Sequence, residues 1–220
     1  LQARKLAIFG GLGGGALALQ TIDALAETEN VEFVGFLNDT LPRGTLISGR
    51  PVLGPFAGWA DLPGDVGFLA PLHKAKAMPE RLRIVEALNV PSHRWATIID
   101  PRSAVASDAA IGAGCFIGPF ATIGPGAILG THTFVRAGAH ISHDCRIGSF
   151  VFAGANAVVC GYSAVHDGVY IAPNATIRDR CQVARFAVIG LGSVVTRDVP
   201  EFAVAAGVPA RHIGAEHGET

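Results

Sequence analysis

Residues 109–129 read AAIGAGCFIGPFATIGPGAIL, and the run repeats every six residues. Counting in sixes in both directions, from Ile99 to Val195, all seventeen positions are aliphatic. Two residues before each, from Thr97 to Ser193, the residue is small. A step of six rotates an α-helix by about 600° and scatters these positions, whereas an even step keeps them on one face of a strand. The period therefore argues β, and one unbroken strand of this length is not credible, so the chain turns after each aliphatic residue. Glycine follows the aliphatic at positions 112, 118, 124, 130, 148, 154 and 190, where its freedom in φ is expected to make the turn. Stacked coils then bury the small and aliphatic residues as one ladder.

The rest of the sequence agrees with a folded, non-fibrous protein. Half of the 220 residues are hydrophobic, enough for a sizeable core, and 17 Lys and Arg against 18 Asp and Glu leave no basic surplus for nucleic acid. Cys115, Cys145, Cys160 and Cys181 lack zinc-type spacing and read as reduced, packed thiols of a cytoplasmic protein. The apolar run from Leu6 to Leu19 after Arg4 and Lys5 mimics a secretory signal. A strand, a glycine turn and a helix explain the same letters, and the run is too short for a membrane span.

The first 95 residues read as a small α/β domain: a strand at Leu6–Phe9, a helix over Ala16–Glu27, a strand at Val31–Leu37, another near Val66–Ala70, and a helix over Glu80–Leu88. Gly11-Leu12-Gly13-Gly14-Gly15-Ala16 fits the G-x-G-x-x-G/A pattern between strand and helix, with Asp39 ending the second strand. Backbone N–H groups at such a helix start can hold a phosphate, and a glycine turn can equally be only a tight turn. The expected division is residues 1–95 (Rossmann-like α/β), 96–199 (β-helix) and 200–220 (tail).

With the hexapeptide run and the closing Ala206-Gly207-Val208-Pro209-Ala210-Arg211, the chain resembles the hexapeptide-repeat acyltransferases. That resemblance implies a left-handed parallel β-helix of five to six coils, acetyl-CoA as co-substrate, no metal, a homotrimer, and a tail near the CoA site. With the glycine turn in front, the chain more closely resembles the acetyltransferases of nucleotide-linked amino sugars in polysaccharide biosynthesis. In these, Leu12, Gly13, Gly14, Asn38 and Asp39 match the nucleotide-holding positions.

Thioester-to-amine transfer needs a base for the departing proton and a donor for the developing oxyanion. His143-Asp144 lies in a turn between two rungs, and an imidazole, with an ordinary pKa of about 6.5, suits the base when a carboxylate orients it. The family's base and acidic partner match His143 and Asp144. Gly161 matches the glycine facing the thioester oxygen, and Pro173 and Leu191 match backbone positions along the CoA channel.

Departures fall at Phe152, where a second His is usual, at Arg136 in place of Asn, at Gly14 in place of His, and at Ala70-Pro71-Leu72-His73 in place of a Gly-Asn-Asn-like loop. Arg136 is thereby a possible acceptor contact for a phosphate or carboxylate. O-acylation of a hydroxyl acceptor and a catalytically silent scaffold remain alternatives. So does a zinc-dependent carbonic anhydrase on the same fold, although His132, His140 and His143 do not match its ligand spacing.

Overall fold

The computed structural model describes residues 4–215. Residues 1–3 and the last five of the expected tail, 216–220, lie outside the described residues. From Ile117 to Val195 every sixth residue is at most 4% exposed, and the small residues from Cys115 to Ser193 at most 1%. This ladder is one continuous core. Only at the open first coil does it fray, where Ile99 is 38% exposed.

The two-residue strands stack into three parallel sheets, the faces of a triangular prism. Face 1 runs from Ile98–Ile99 through Phe116–Ile117, Phe134–Val135, Phe152–Ala153, Tyr170–Ile171 and Val188–Ile189 to Ala203–Ala206, which pairs antiparallel with Arg211–Ala215. Face 2 runs from Ala104–Val105 to Val194–Val195, and face 3 from Ala110–Ile111 to Gln182–Val183. Ile123, Ile141 and Val159 are direct neighbours, so a coil is eighteen residues and no insertion interrupts the register.

Inward polar groups find partners in the corners. Thr133 Oγ1 donates to the Gly148 carbonyl at 2.7 Å, Ser163 Oγ to that of Arg178 at 2.9 Å, and Cys145 Sγ to that of Cys160 at 3.2 Å. Each bond reaches fifteen residues on, so hydroxyls and thiols are tolerated inside the ladder. All four cysteines are free.

The glycines do not act as expected from the sequence. Those directly after the aliphatic residue have no positive φ; the left-handed position is two residues later, at Gly114, Phe120, Gly126, His132, Phe150 and Asn156 among others. The reason for glycine lies in the next coil. A Cβ on Gly130 would lie 2.6 Å from Gly148 C and from Ser149 N, and one on Gly124 would lie 2.7 Å from His143 N. Close approach of stacked backbones selects glycine there.

The N-terminal sheet comprises β1 (Arg4–Phe9), β2 (Val31–Leu37), β3 (Leu46–Ile47), β4 (Arg50–Gly54) and β5 (Val66–Leu69), in the order β3-β4-β2-β1-β5. All pairs are parallel except β3–β4. Helix α1 (Gly14–Glu29) follows β1, and α2 (Met78–Ala87) follows β5. The run that mimics a signal is therefore strand, turn and helix. No described helix is long and apolar enough to cross a membrane.

Ile8, Ala18 and Ile22 share one core with Phe116 and Phe134 of face 1. Thr21 Oγ1 on α1 donates to the fully buried Asp100 at 2.8 Å, and Arg102 closes on the same carboxylate at 2.9 Å. Phe134 and Phe150 are buried, and Phe152 is partly buried, against the same chain's N-terminal half.

Candidate active site

His143 sits in the corner between faces 2 and 3, where Ile141 ends one strand and Arg146 begins the next. Asp144 takes the left-handed conformation there, with φ of 56°. Asp tolerates it better than most residues do. The turn brings Asp144 Oδ2 to 2.9 Å from His143 Nδ1, with both side chains about half exposed, at 49% and 50%. An Nδ1–H donated to that carboxylate leaves Nε2 with a free lone pair.

One coil on, eighteen residues away, lies Gly161. A Cβ there would be 2.7 Å from both Cε1 and Nε2 of His143, so glycine makes room for the imidazole. Gly161 is buried. Its carbonyl accepts from Arg180 N at 3.1 Å, while its own N–H has no hydrogen bond among the described residues. A donor of this kind beside a basic nitrogen suits an oxygen that gains negative charge.

Sequence reasoning missed the aromatic wall of this corner. Tyr162, at φ of 60°, stands edge-on to His143 with centroids 5.0 Å apart, and the Arg180 guanidinium covers its ring at 4.5 Å. The eighteen-residue coil carries the signal, since Asp144, Tyr162 and Arg180 are successive occupants of one corner position.

A second concavity forms at the glycine turn. Gly10 and Gly11 follow β1, Gly13 at φ of 63° precedes α1, and Leu12 is 69% exposed. The chain continues from β1 to one side of the sheet and returns to β5 on the other, so the crevice between their C-terminal ends is a topological switch point. Pro71 closes against the turn, its carbonyl oxygen 2.9 Å from where a Gly14 Cβ would be. Thus a side chain at position 14 is excluded once Ala70-Pro71-Leu72-His73 takes this path.

The crevice is about 210 Å³, and Leu17, His73, Phe134, Arg136 and Phe152 complete its lining with Gly13, Gly14 and Pro71. His73 Nε2 donates to the His132 carbonyl at 3.1 Å, and burial pushes the His73 imidazole down to about 3 and that of His132 to about 4.

Beyond the end of β2 lies a larger cleft of about 620 Å³, lined by Asn38, Asp39, Arg43 and Asp61 among others. Asn38 is committed to the chain itself: Nδ2 donates to the Gly10 carbonyl at 2.9 Å, and Oδ1 accepts from Thr40 and Leu41. Asp39 Oδ1 accepts from Phe56 N at 2.6 Å.

The structure thus brings His143, Asp144 and Gly161 together in one corner, and Gly13, Gly14, Phe152 and Arg136 together at face 1. Pro173 and Leu191 occupy the corner between faces 1 and 2, where the Pro173 carbonyl accepts from Gly192 N at 3.1 Å and Leu191 is 74% exposed. His132 is buried between Trp95 and Phe150, away from His143. No group of three His, Cys, Asp or Glu side chains able to hold a metal occurs among the described residues.

Residues 108–143 and 144–179 match the bacterial transferase hexapeptide model of six repeats. The stacked parallel faces accordingly fit a left-handed β-helix. No curated protein matches by sequence. Among solved structures, the acetyltransferase domain of PglB from Neisseria gonorrhoeae is 26% identical, with a TM-score of 0.84 over 96% of this chain and 100% of that one.

A mutant perosamine N-acetyltransferase from Caulobacter crescentus, in complex with CoA and GDP-perosamine, is 19% identical over 96% and 97%, with a TM-score of 0.83. WeeI from Acinetobacter baumannii is 23% identical over 94% and 99%, with a TM-score of 0.79. The last two share the fold. With its repeat matched and nearly its whole length superposing on an acetyltransferase domain, the chain is a hexapeptide-repeat acetyltransferase.

Proposed function

We propose that the protein transfers the acetyl group of acetyl-CoA to the amine of a nucleotide-linked amino sugar by direct attack, with His143 as general base. The observation that carries this is the corner itself. His143 Nδ1 is held by Asp144 at 2.9 Å, and its opposite edge lies over Gly161, a buried residue whose N–H is unpaired. Acetyl-CoA supplies an activated acyl carbon when bound. His143 Nε2 takes the proton released as the C–N bond forms and the C–S bond breaks, and that proton is then available to the departing thiolate. The Gly161 N–H faces the thioester oxygen, and Asp144 fixes the tautomer and stabilises the imidazolium.

Pro173, exposed Leu191 and Phe152 are assigned to the CoA side of the site. The open apolar side chain of Leu191 and the free Gly161 N–H fit such a ligand. The glycine turn with Leu12, Gly13 and Gly14, backed by Asn38 and Asp39, is assigned to the nucleotide. The PglB domain has been solved with acetyl-CoA, and the Caulobacter enzyme with GDP-perosamine.

In this reading residues 1–95 form a Rossmann-like substrate domain and 96–199 the transferase β-helix. Residues 200–215, which continue the face 1 sheet, lie by the CoA site, and the active unit is a cytoplasmic homotrimer. Acetyl-CoA turnover against a panel of UDP-, GDP- and dTDP-linked amino sugars tests it. Transfer only to hydroxyl acceptors, or none at all, refutes the assignment.

A further inference from the structure

Arg136 begins the corner between faces 1 and 2, just after the strand Phe134–Val135. Its guanidinium lies 5.4 Å from the Phe116 ring centre, and burial lowers its pKa, opposed only by Tyr170. Phe152 and Tyr170 stack at 4.6 Å along the same face, continuing the aromatic surface beside it. The Arg136 guanidinium makes neither an ion pair nor a hydrogen bond among the described residues, although the residue's backbone N–H and carbonyl are paired. The other arginines packed on rings mostly have such a partner: Arg94 donates to the Pro63 and Val66 carbonyls, and Arg102 holds Asp100.

A half-buried guanidinium among aromatic rings has lost part of its hydration, and that cost is offset only when its donors meet acceptors. The side chains around Arg136 do not do this. Phe134, Phe152, Pro71 and Leu17 offer no polar side-chain atoms, and the His73 Nδ1 in the same crevice is itself unpaired. What the crevice does contain is the Gly13–Gly14 turn, where a helix of sixteen residues begins. Two groups that favour negative charge face one space of sugar-like size, and no acidic residue lines it.

We infer that this crevice is an oxyanion subsite of the acceptor, in which Arg136 binds a phosphate or carboxylate group carried on or beside the sugar. This rests on the nucleotide-sugar reading above and adds to it a side chain, Arg136, that meets either the acceptor's diphosphate or a carboxylate on its sugar. A planar guanidinium meets such a group with two parallel hydrogen bonds, which an Asn or Gln at the same position cannot supply.

The test is calorimetric binding of UDP, GDP, dTDP, UDP-glucose and UDP-glucuronate to the full chain and to its Arg136→Gln and Arg136→Lys variants. Acetyl-CoA affinity and melting temperature serve as controls. A diphosphate as the bound group predicts that a nucleoside diphosphate loses about 10- to 100-fold in affinity in Arg136→Gln and regains part of it in Arg136→Lys. A sugar carboxylate as the bound group predicts instead that UDP-glucuronate outbinds UDP-glucose only when position 136 is arginine. The inference is overturned if ligands bind the wild type and Arg136→Gln within about twofold, and the nucleotide reading then stands. If none binds the wild type, both fall.

Discussion

The imidazole of His143 is constrained on three sides, by Asp144 at Nδ1, by Gly161 beneath its Nε2 edge, and by the ring of Tyr162. Each constraint gives a different expected loss. His143→Ala removes the base and lowers turnover by about 10² to 10⁴, while circular dichroism stays unchanged because a corner residue contributes nothing to the inward ladder. Asp144→Asn costs less, because an amide oxygen can still accept from Nδ1–H while the counter-charge for the imidazolium is lost. Gly161→Ala retains the His143 side chain but puts a methyl group where its ring lies, so the imidazole must shift. Turnover should therefore fall with acetyl-CoA affinity held near wild type, and wild-type turnover in this variant would remove Gly161 from the site. The His143–Asp144 contact was legible in the sequence because the two are adjacent. Tyr162 was not, because its proximity depends on the coil length, which a count of six shows only when multiplied by three.

At the scale of elements, the repeat made the β-helix and its inward ladder readable, and also β2, whose expected ends agree with the structure. The short strands β3 and β4 were missed, since Leu46–Ile47 is too brief for alternation to show and Pro51 interrupts the other. The turn glycines were misread for a physical reason, because a requirement for positive φ and a requirement for close approach leave the same letter. Two substitutions separate them. Gly130→Ala places a methyl against the backbone of the next coil and should cost about 1–3 kcal/mol in urea unfolding. Gly192→Asn occupies a left-handed position with open space around it, on the corner where Asn156 and Asn174 already stand, and should be nearly neutral. Equal costs would mean that coil contact does not select glycine. The junction of the two halves is pH-sensitive with a definite sign. His73 and His132 are held neutral by burial, with folded values below the ordinary 6.5, so their contribution is complete above that pH. As pH falls from about 6.5 toward 4, stability should decline by about 1.4 kcal/mol per pH unit for each group. His132→Phe, a residue that the same corner accepts at Phe150 and Phe186, should flatten that slope.

At the scale of the molecule, the two halves of the proposed reaction do not meet within one chain. His143 occupies the corner between faces 2 and 3, whereas the glycine-turn crevice lies against face 1, and the core of the prism stands between them. A neighbouring copy resolves this if its face 1 side lies against this chain's His143 corner, and a closed ring of three such contacts gives three equivalent sites. Light scattering is accordingly expected to give three times the chain mass, and a monomer at micromolar concentration would leave the base without an acceptor. Shared sites make a sharper demand. His143→Ala lacks the base but keeps the crevice. Gly13→Trp keeps the base and fills the crevice; nothing lies within 4 Å of a Cβ there, but φ of 63° strains any side chain, so a melting temperature close to wild type is required of this variant. Each variant alone should be nearly inactive. Co-expressed at equal levels and purified as mixed trimers, they should recover activity at about one quarter of the sites, those pairing an intact His143 from one chain with an intact crevice from its neighbour. If both groups came from the same chain, no mixture would contain a complete site and activity would stay at the level of the variants alone.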